Sequence, residues 1–236
     1  MKLIDYFDRI CVIFLPERTD RVKQFEKQLS RLGIETSDII WFPGEKYAEA
    51  AGFPKSSVRG CVMSHYTVLK QAAEDGVDKL LVFQEDCTFS SRLIKNEQTI
   101  MNQLASMHWD FAYLGHGVKM NSTPTYFIQA SPDQPILLTH FCAYHKRGIP
   151  RLIQLIEDSL NRPFGHPDGG PMYFDGYMNF FRIHNPNTVT LLASPSLGRQ
   201  YSSTSNLNPN QLELYKLLTP GFKLARWAKN KIRDFS

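Results

Sequence analysis

Four short stretches of this chain hold residue types that do chemistry. In LLVFQEDCTF (residues 80–89) an apolar run ends on two adjacent carboxylates, Glu85 and Asp86. Neighbouring carboxylates at a strand end can hold a hard divalent cation that also bridges to substrate phosphates. Acids equally serve as turn residues where a strand meets a loop. In LPERTDR (15–21) Arg18 and Arg21 sit where a strand gives way to a helix. Backbone N–H groups favour anions there and arginine adds bidentate phosphate contacts, although two solvated arginines on an amphipathic helix would look the same. RGCVMSH (59–65) has Arg59 and Gly60 opening a helix, with Ser64 and His65 on its first turns. A lone helical histidine is either a packed, hydrogen-bonded residue or a proton carrier. Last, HPDGGPMYFDGY (166–177) sets His166, Asp168 and Asp175 around paired glycines. Such a loop lets a ligand approach the backbone closely, while Asp168 also suits a turn and Asp175 a helix cap.

The elements that must position these groups alternate. ICVIFL (10–15) reads as a buried strand stopped by Pro16. Val22, Phe25, Leu29 and Leu32 recur at helical steps up to Gly33. DIIWF (38–42) is a second strand, the helix from Cys61 closes at Gly76, and KLLVF (79–83) is a third strand. A helix over 93–107, a strand at FAYLG (111–115), a polar loop through NSTPTYF, a strand through PILLTHFCAYH (135–145) and a helix at IPRLIQLIEDSL follow. NRPFGHPDGGP is too rich in Pro and Gly for regular structure, and a short helix at FDGYMNFF and a strand at TVTLLA come after it. This alternation predicts an α/β fold with a mostly parallel sheet, whose ligands bind beyond the carboxyl ends of its strands. Glu85 and Asp86 fall at such an end.

Composition narrows the function classes. With 236 residues, 42% hydrophobic and 21% charged, the chain is an ordinary globular protein. A net charge of +4 suits an anionic ligand and is too weak for a nucleic-acid binder. The four cysteines, Cys11, Cys61, Cys87 and Cys142, form no C-x-x-C pair and read as buried thiols of a reducing compartment. With no apolar leader and no membrane-length apolar run, the expectation is a cytoplasmic protein. No Walker or G-x-G-x-x-G motif points to a P-loop or dinucleotide fold.

Taken in order, these motifs resemble glycosyltransferase family 25, which includes lipopolysaccharide galactosyltransferases and collagen galactosyltransferase domains. VIFLPERTDR looks like the family's strand and R-x-D-R turn, GCVMSH its G-C-x-x-S-H helix, and LLVFQEDCTF its strand running into Glu-Asp-Asp. WDFAYLG, GHPDGGPMYFDGY and SPSLGRQYSSTSN match later motifs. The resemblance implies a single GT-A-like (Rossmann-like) domain, a UDP-sugar donor with galactose favoured, Mn²⁺ or Mg²⁺, and inverting transfer to a saccharide or lipid-linked saccharide. It implies Asp86, Glu85 and His166 as metal ligands and Arg18, Arg21 and Arg59 as donor-site residues, with Ser64 and His65 shaping that site. Gln200, Ser202 and Ser203 would close over the donor or read the acceptor, and Asp175, then Asp168, would be the base. One departure stands out: Gln84-Glu85-Asp86 replaces Glu-Asp-Asp, which leaves open altered metal binding or an inactive relative.

Residues 1–218 are expected to form the catalytic domain and 219–236 a basic segment. In FKLARWAKNKIRDF, Leu224, Ala228, Ile232 and Phe235 share a helical face, suited either to anionic lipid or to packing on the domain. The competing readings are a non-catalytic nucleotide- or glycan-binding protein on the same scaffold and a metal-dependent phosphoester hydrolase.

Overall fold

The structure, a computed structural model, describes residues 1–120 and 123–200. Ser202, Ser203 and the segment 219–236 lie outside the described residues.

The chain opens with helix α1 (Leu3–Tyr6), strand β1 (Arg9–Phe14), helix α2 (Thr19–Arg31), strand β2 (Ile40–Pro43), helix α3 (Ser56–Glu74) and strand β3 (Lys79–Gln84). It continues through β4 (Cys87–Phe89), α4 (Ser91–Ser106), β5 (Phe111–Gly115), β6 (Phe127–Gln129), β7 (Phe141–His145), α5 (Ile149–Leu160), α6 (Phe174–His184), β8 (Thr190–Ala193) and β9 (Gly198–Gln200). One sheet joins them in the order β2-β1-β3-β7-β5-β8-β6, with β9 bridging β4 and β5. Strands β2, β1, β3, β5 and β8 run in one direction; β7 and β6 run against it.

Alternation along the strands splits the core. Ile10 and Val12 of β1, Leu81 and Phe83 of β3, and Ala112 and Leu114 of β5 face α2 and α4, packing with Phe25, Leu29, Ile100 and Met101. Cys11 and Ile13, Leu80 and Val82, and Phe111 and Tyr113 face α3, α5 and α6, packing with Val62, Leu69, Ile153, Tyr177 and Met178. Successive side chains point to opposite faces, so strands with no polar position must be covered on both sides. This is the expected α/β arrangement, a mixed and mostly co-directional sheet flanked by helices. No helix of the described residues is long and apolar enough to cross a membrane.

Several elements differ from the sequence expectation. The run PILLTHFCAYH is strand only over Phe141–His145, and this strand enters antiparallel between β3 and β5. Ahead of it, Ile136 pairs with Asn179 of α6. Helix α3 begins at Ser56, a turn before Arg59 and Gly60. The three-residue strands β4, β6 and β9 have no counterpart in the sequence expectation. Their length leaves too few positions to show a period. Cys11, Cys87 and Cys142 are buried free thiols as expected, and Cys61 is half-buried.

Candidate active site

Parallel pairing of β1 with β3 puts Ile13 opposite Gln84, so both strands end at the same sheet edge. Beyond β1 the chain turns at Arg18, whose N–H donates to the Leu15 carbonyl at 2.8 Å, and enters α2. Beyond β3 the Glu85 N–H donates to the Ile13 carbonyl at 3.2 Å, which stitches the acidic turn to β1. The first turn of α2 therefore lies over the acids. Arg21 Nη1 stands 3.3 Å from Glu85 Oε1 and 3.5 Å from Asp86 Oδ2. Glu85 is 6% exposed and Arg21 7%, so this is a buried ion cluster and not a solvated turn.

Burial pushes both carboxyls upward. Glu85 is raised by desolvation and by the charge of Asp86, against Arg21. Asp86 is raised by desolvation, against Arg21, Arg18 and the Gln200 side chain. Desolvation penalises the charged forms, and one guanidinium shared by two acids does not fully offset it. Asp86 Oδ1 is buried with no hydrogen-bond partner among the described residues. A hard cation takes such an oxygen, so the donor set suits Mn²⁺ or Mg²⁺ held by one or two carboxylates and by substrate phosphate. Among the described residues no three His, Cys, Asp or Glu side chains gather as a full protein cage.

Helix α3 supplies the wall next to the acids. A Cβ on Gly60 would stand 2.3 Å from the Glu45 carbonyl oxygen, so only glycine lets the chain after β2 lie against this helix. One turn on, Ser64 Oγ accepts from the Glu45 N–H at 2.8 Å and donates to the Gly60 carbonyl at 2.7 Å. Ser64 is 1% exposed and its hydroxyl is engaged on both sides, so it docks backbone of the wall. Arg59 lies over the Tyr47 ring at 3.9 Å and donates to the Glu49 carbonyl at 3.1 Å.

His65 is 1% exposed, and its Nε2 is 3.1 Å from Gln84 Nε2. An amide N–H can only donate, so Nε2 accepts and the ring proton sits on Nδ1. Burial holds the ring neutral by lowering its pKa to about 3. It stacks on Phe174 of α6 at 3.9 Å with planes 8° apart.

Asp175 follows Phe174 in the first turn of α6, where the positive end of a helix suits a carboxylate. Desolvation nonetheless raises it to about 6, against backbone hydrogen bonds from Leu138, Gly176 and its own N–H. The half-buried Cys61 thiol is pushed up to about 12 by burial and then by the charges of Asp175, Asp86 and Glu85. Asp175, Asp86 and Glu85 thus act together on one thiol, as one group of charges.

His166 and Asp168 do not join it. His166 Nδ1 accepts from the Asp168 N–H at 3.1 Å, and Arg162 donates to the Asp168 and Gly169 carbonyls at 2.6 and 3.2 Å. The Asp168 side chain is 78% exposed. The stretch is a turn whose backbone groups are held by His166 and Arg162. Arg21 stands as a counter-ion of the acids. Arg18 is held by Asp20 at 3.0 Å through two nitrogens, and its charge still acts on Glu85 and Asp86. Gln200 arrives from β9, opposite Cys87, and faces Asp86.

Two buried residues of α6 were missed. Asn179 and Arg182 follow Asp175 at four and seven residues, on the same helical face. In a helix otherwise rich in aromatic residues, that polar spacing is a readable signal.

No family model matches the chain. It is 26% identical over 129 residues to procollagen galactosyltransferase 1-B of Xenopus laevis, covering 46% of this chain and 21% of that protein. It is 26% identical over 129 residues to procollagen galactosyltransferase 2 of Homo sapiens, with coverage of 46% and 21%. Against inactive glycosyltransferase 25 family member 3 of Homo sapiens it is 24% identical over 129 residues, with coverage of 46% and 22%. The chain therefore spans about a fifth of the length of these relatives. The family resemblance read from the motifs has curated relatives within glycosyltransferase family 25 behind it, at low identity. A solved glycosyltransferase involved in glycosylation of the major capsid of PBCV-1 aligns with a TM-score of 0.40 at 11% identity, covering 79% of this chain and 93% of that one.

Proposed function

We propose that this chain is a GT-A-like glycosyltransferase that moves a hexose, galactose favoured, from a UDP-sugar to a saccharide or lipid-linked saccharide acceptor with inversion. The observation that carries the reading is the buried pair Glu85 and Asp86 beneath Arg21, with Asp86 Oδ1 unpartnered among the described residues. Galactosyltransferase names among the relatives support the donor.

Glu85 and Asp86 would hold Mn²⁺ or Mg²⁺, which when bound supplies positive charge to the departing diphosphate. Arg18 adds positive charge at the same edge. Asp175, raised toward neutrality, suits a general base. The acceptor oxygen forms its bond to the anomeric carbon while the bond from that carbon to the phosphate oxygen breaks. The acceptor proton goes to Asp175, and UDP leaves with the bonding electrons. His65, neutral and immobilised between Gln84 and Phe174, shapes this space without moving a proton. A cytoplasmic site, a role in lipopolysaccharide assembly and contact of residues 219–236 with anionic lipid belong to the same proposal.

UDP-galactose incubated with the protein and Mn²⁺ should release UDP, slowly without acceptor, and Mn²⁺ with UDP should raise the melting temperature. Asp86→Ala should abolish the metal-dependent rise; an unchanged rise would remove Asp86 from the site, and no stabilisation by any UDP-, GDP- or CMP-sugar would overturn the reading. Gln84 in place of an acid, and the inactive naming of one relative, favour a second reading: a protein that binds nucleotide sugar without turnover. Stabilisation without UDP release under any metal would select it.

A further inference from the structure

Of the three residues Gln84, Glu85 and Asp86, the uncharged one is tied to the opposite side of the sheet. Gln84 ends β3, and its backbone N–H donates to the His140 carbonyl at 2.9 Å. Alternation turns its side chain to the side of Val82, toward α3, whereas Glu85 meets Arg21 of α2. There Gln84 Nε2 lies 3.1 Å from His65 Nε2, and the imidazole stacks on Phe174 at 3.9 Å. His65 is 1% exposed and Phe174 3%, so the amide is held by a partner that has no room to swing. Phe174 is followed directly by Asp175 at the head of α6. Two contacts therefore lead from the acidic turn to the neighbour of Asp175, and Gln84 begins them.

With Nε2 engaged by His65, Oε1 is the free end of the amide. Among the described residues it has no hydrogen-bond partner, and unlike Asp86 Oδ1 it is not sealed from solvent. A neutral carbonyl oxygen accepts readily from a hydroxyl and is a weaker partner for a cation than the carboxylates beside it. We infer that Gln84 reads the sugar: its Oε1, oriented by His65, accepts a hydrogen bond from a hydroxyl of the hexose carried by the nucleotide donor. This rests on the reading of this sheet edge as a sugar-nucleotide site. In that reading the diphosphate lies at Glu85 and Asp86 and the base is Asp175, so the transferred hexose spans the interval in which Gln84 stands. A site that hydrogen-bonds a substrate hydroxyl discriminates against ligands that lack it, because the protein group is then left unpaired. An amide does this without placing a third negative charge beside the diphosphate. His65 is the positioning residue, acting through Gln84.

The test compares UDP with UDP-galactose, which differ by the hexose, in isothermal titration calorimetry on the full chain with Mn²⁺. Gln84→Met keeps the length of the side chain and removes both polar atoms. It should weaken UDP-galactose by about 3–10-fold, the worth of one neutral hydrogen bond, and leave UDP within about 2-fold. His65→Phe keeps an aromatic ring against Phe174 and frees the amide, so it should weaken UDP-galactose in the same selective way by a smaller factor. Gln84→Glu retains an acceptor oxygen, and the selective loss should be absent, whatever the added charge does to both ligands. Should Gln84→Met fail to fold by near-ultraviolet circular dichroism, Gln84→Ala carries the same expectation. Equal weakening of both ligands in folded Gln84→Met would put Oε1 on the metal or the diphosphate and overturn the sugar contact. No change in either ligand overturns it too, and in both cases the sugar-nucleotide reading stands. A selective loss in Gln84→Met with none in His65→Phe upholds the contact and overturns the orienting role of His65. An unmodified protein that binds neither ligand overturns both readings together.

Discussion

The turn at Glu85 and Asp86 and the loop at His166 and Asp168 look equally promising as strings of residues, and they end in opposite situations. Both place acids beside turn-forming positions. The first is pinned under a helix start by parallel strands whose ends coincide, so its charges leave water and are compensated by one arginine. The second spends its hydrogen-bonding groups on its own backbone and on Arg162 and keeps Asp168 in solvent. Reactivity follows from what the fold removes from water, not from the presence of carboxylates.

The sharpest way to break that contrast is to take away the compensation. Arg21→Ala leaves two buried acids without their counter-ion, and urea unfolding at pH 7 should show a loss of about 3–5 kcal/mol. The deficit should narrow as pH falls and the raised carboxyls of Glu85 and Asp86 take up protons. A loss that stays below 1 kcal/mol would mean the pair is as solvated as the 166–168 turn.

A smaller effect of the opposite sign is expected at Asp175. Its folded pKa is raised from 3.8 to about 6, so the native state holds a proton that the unfolded chain releases, and stability falls as pH rises between those values. Asp175→Asn removes that penalty, which amounts to about 3 kcal/mol at pH 7 at most and fades below about pH 4. Turnover should fall by a factor of about 100 or more with loss of a general base. Greater stability with lost activity is the signature; loss of both would assign Asp175 a structural role. The smallest effect belongs to the surface turn. His166→Ala and Asp168→Ala should each change stability by no more than about 0.5 kcal/mol and leave the Mn²⁺-dependent rise in melting temperature intact.

Legibility in the sequence tracked the range of the interactions involved. The buried strands β1, β3 and β5 and the faces of α2, α3 and α5 announce themselves through local periodicity, and the acid pair through its place at a strand end. The direction of β7 is not local: it depends on Leu80 meeting Tyr144 across the sheet. Nor does PILLTHFCAYH reveal that Ile136 pairs with Asn179, because an apolar run looks the same whether its backbone pairs with a strand or with a helix side chain. The pairing of Arg21 with Glu85 is hidden for the same reason, because the two lie 64 residues apart. In the sequence Gly60 is visible only as part of a motif, and it acquires its reason from the Glu45 carbonyl.

The pairing of β4 with β9 has a consequence in time. Thr88 donates to the Arg199 carbonyl at 3.0 Å across 111 residues of chain, and Gln200 reaches Asp86 through the same short ladder. Closing so long a loop has an entropic cost that must be met before the contact rewards it, which makes such contacts slow to form. The side chain that holds the Asp86 pKa down against burial therefore comes from a strand placed only by a long loop closure.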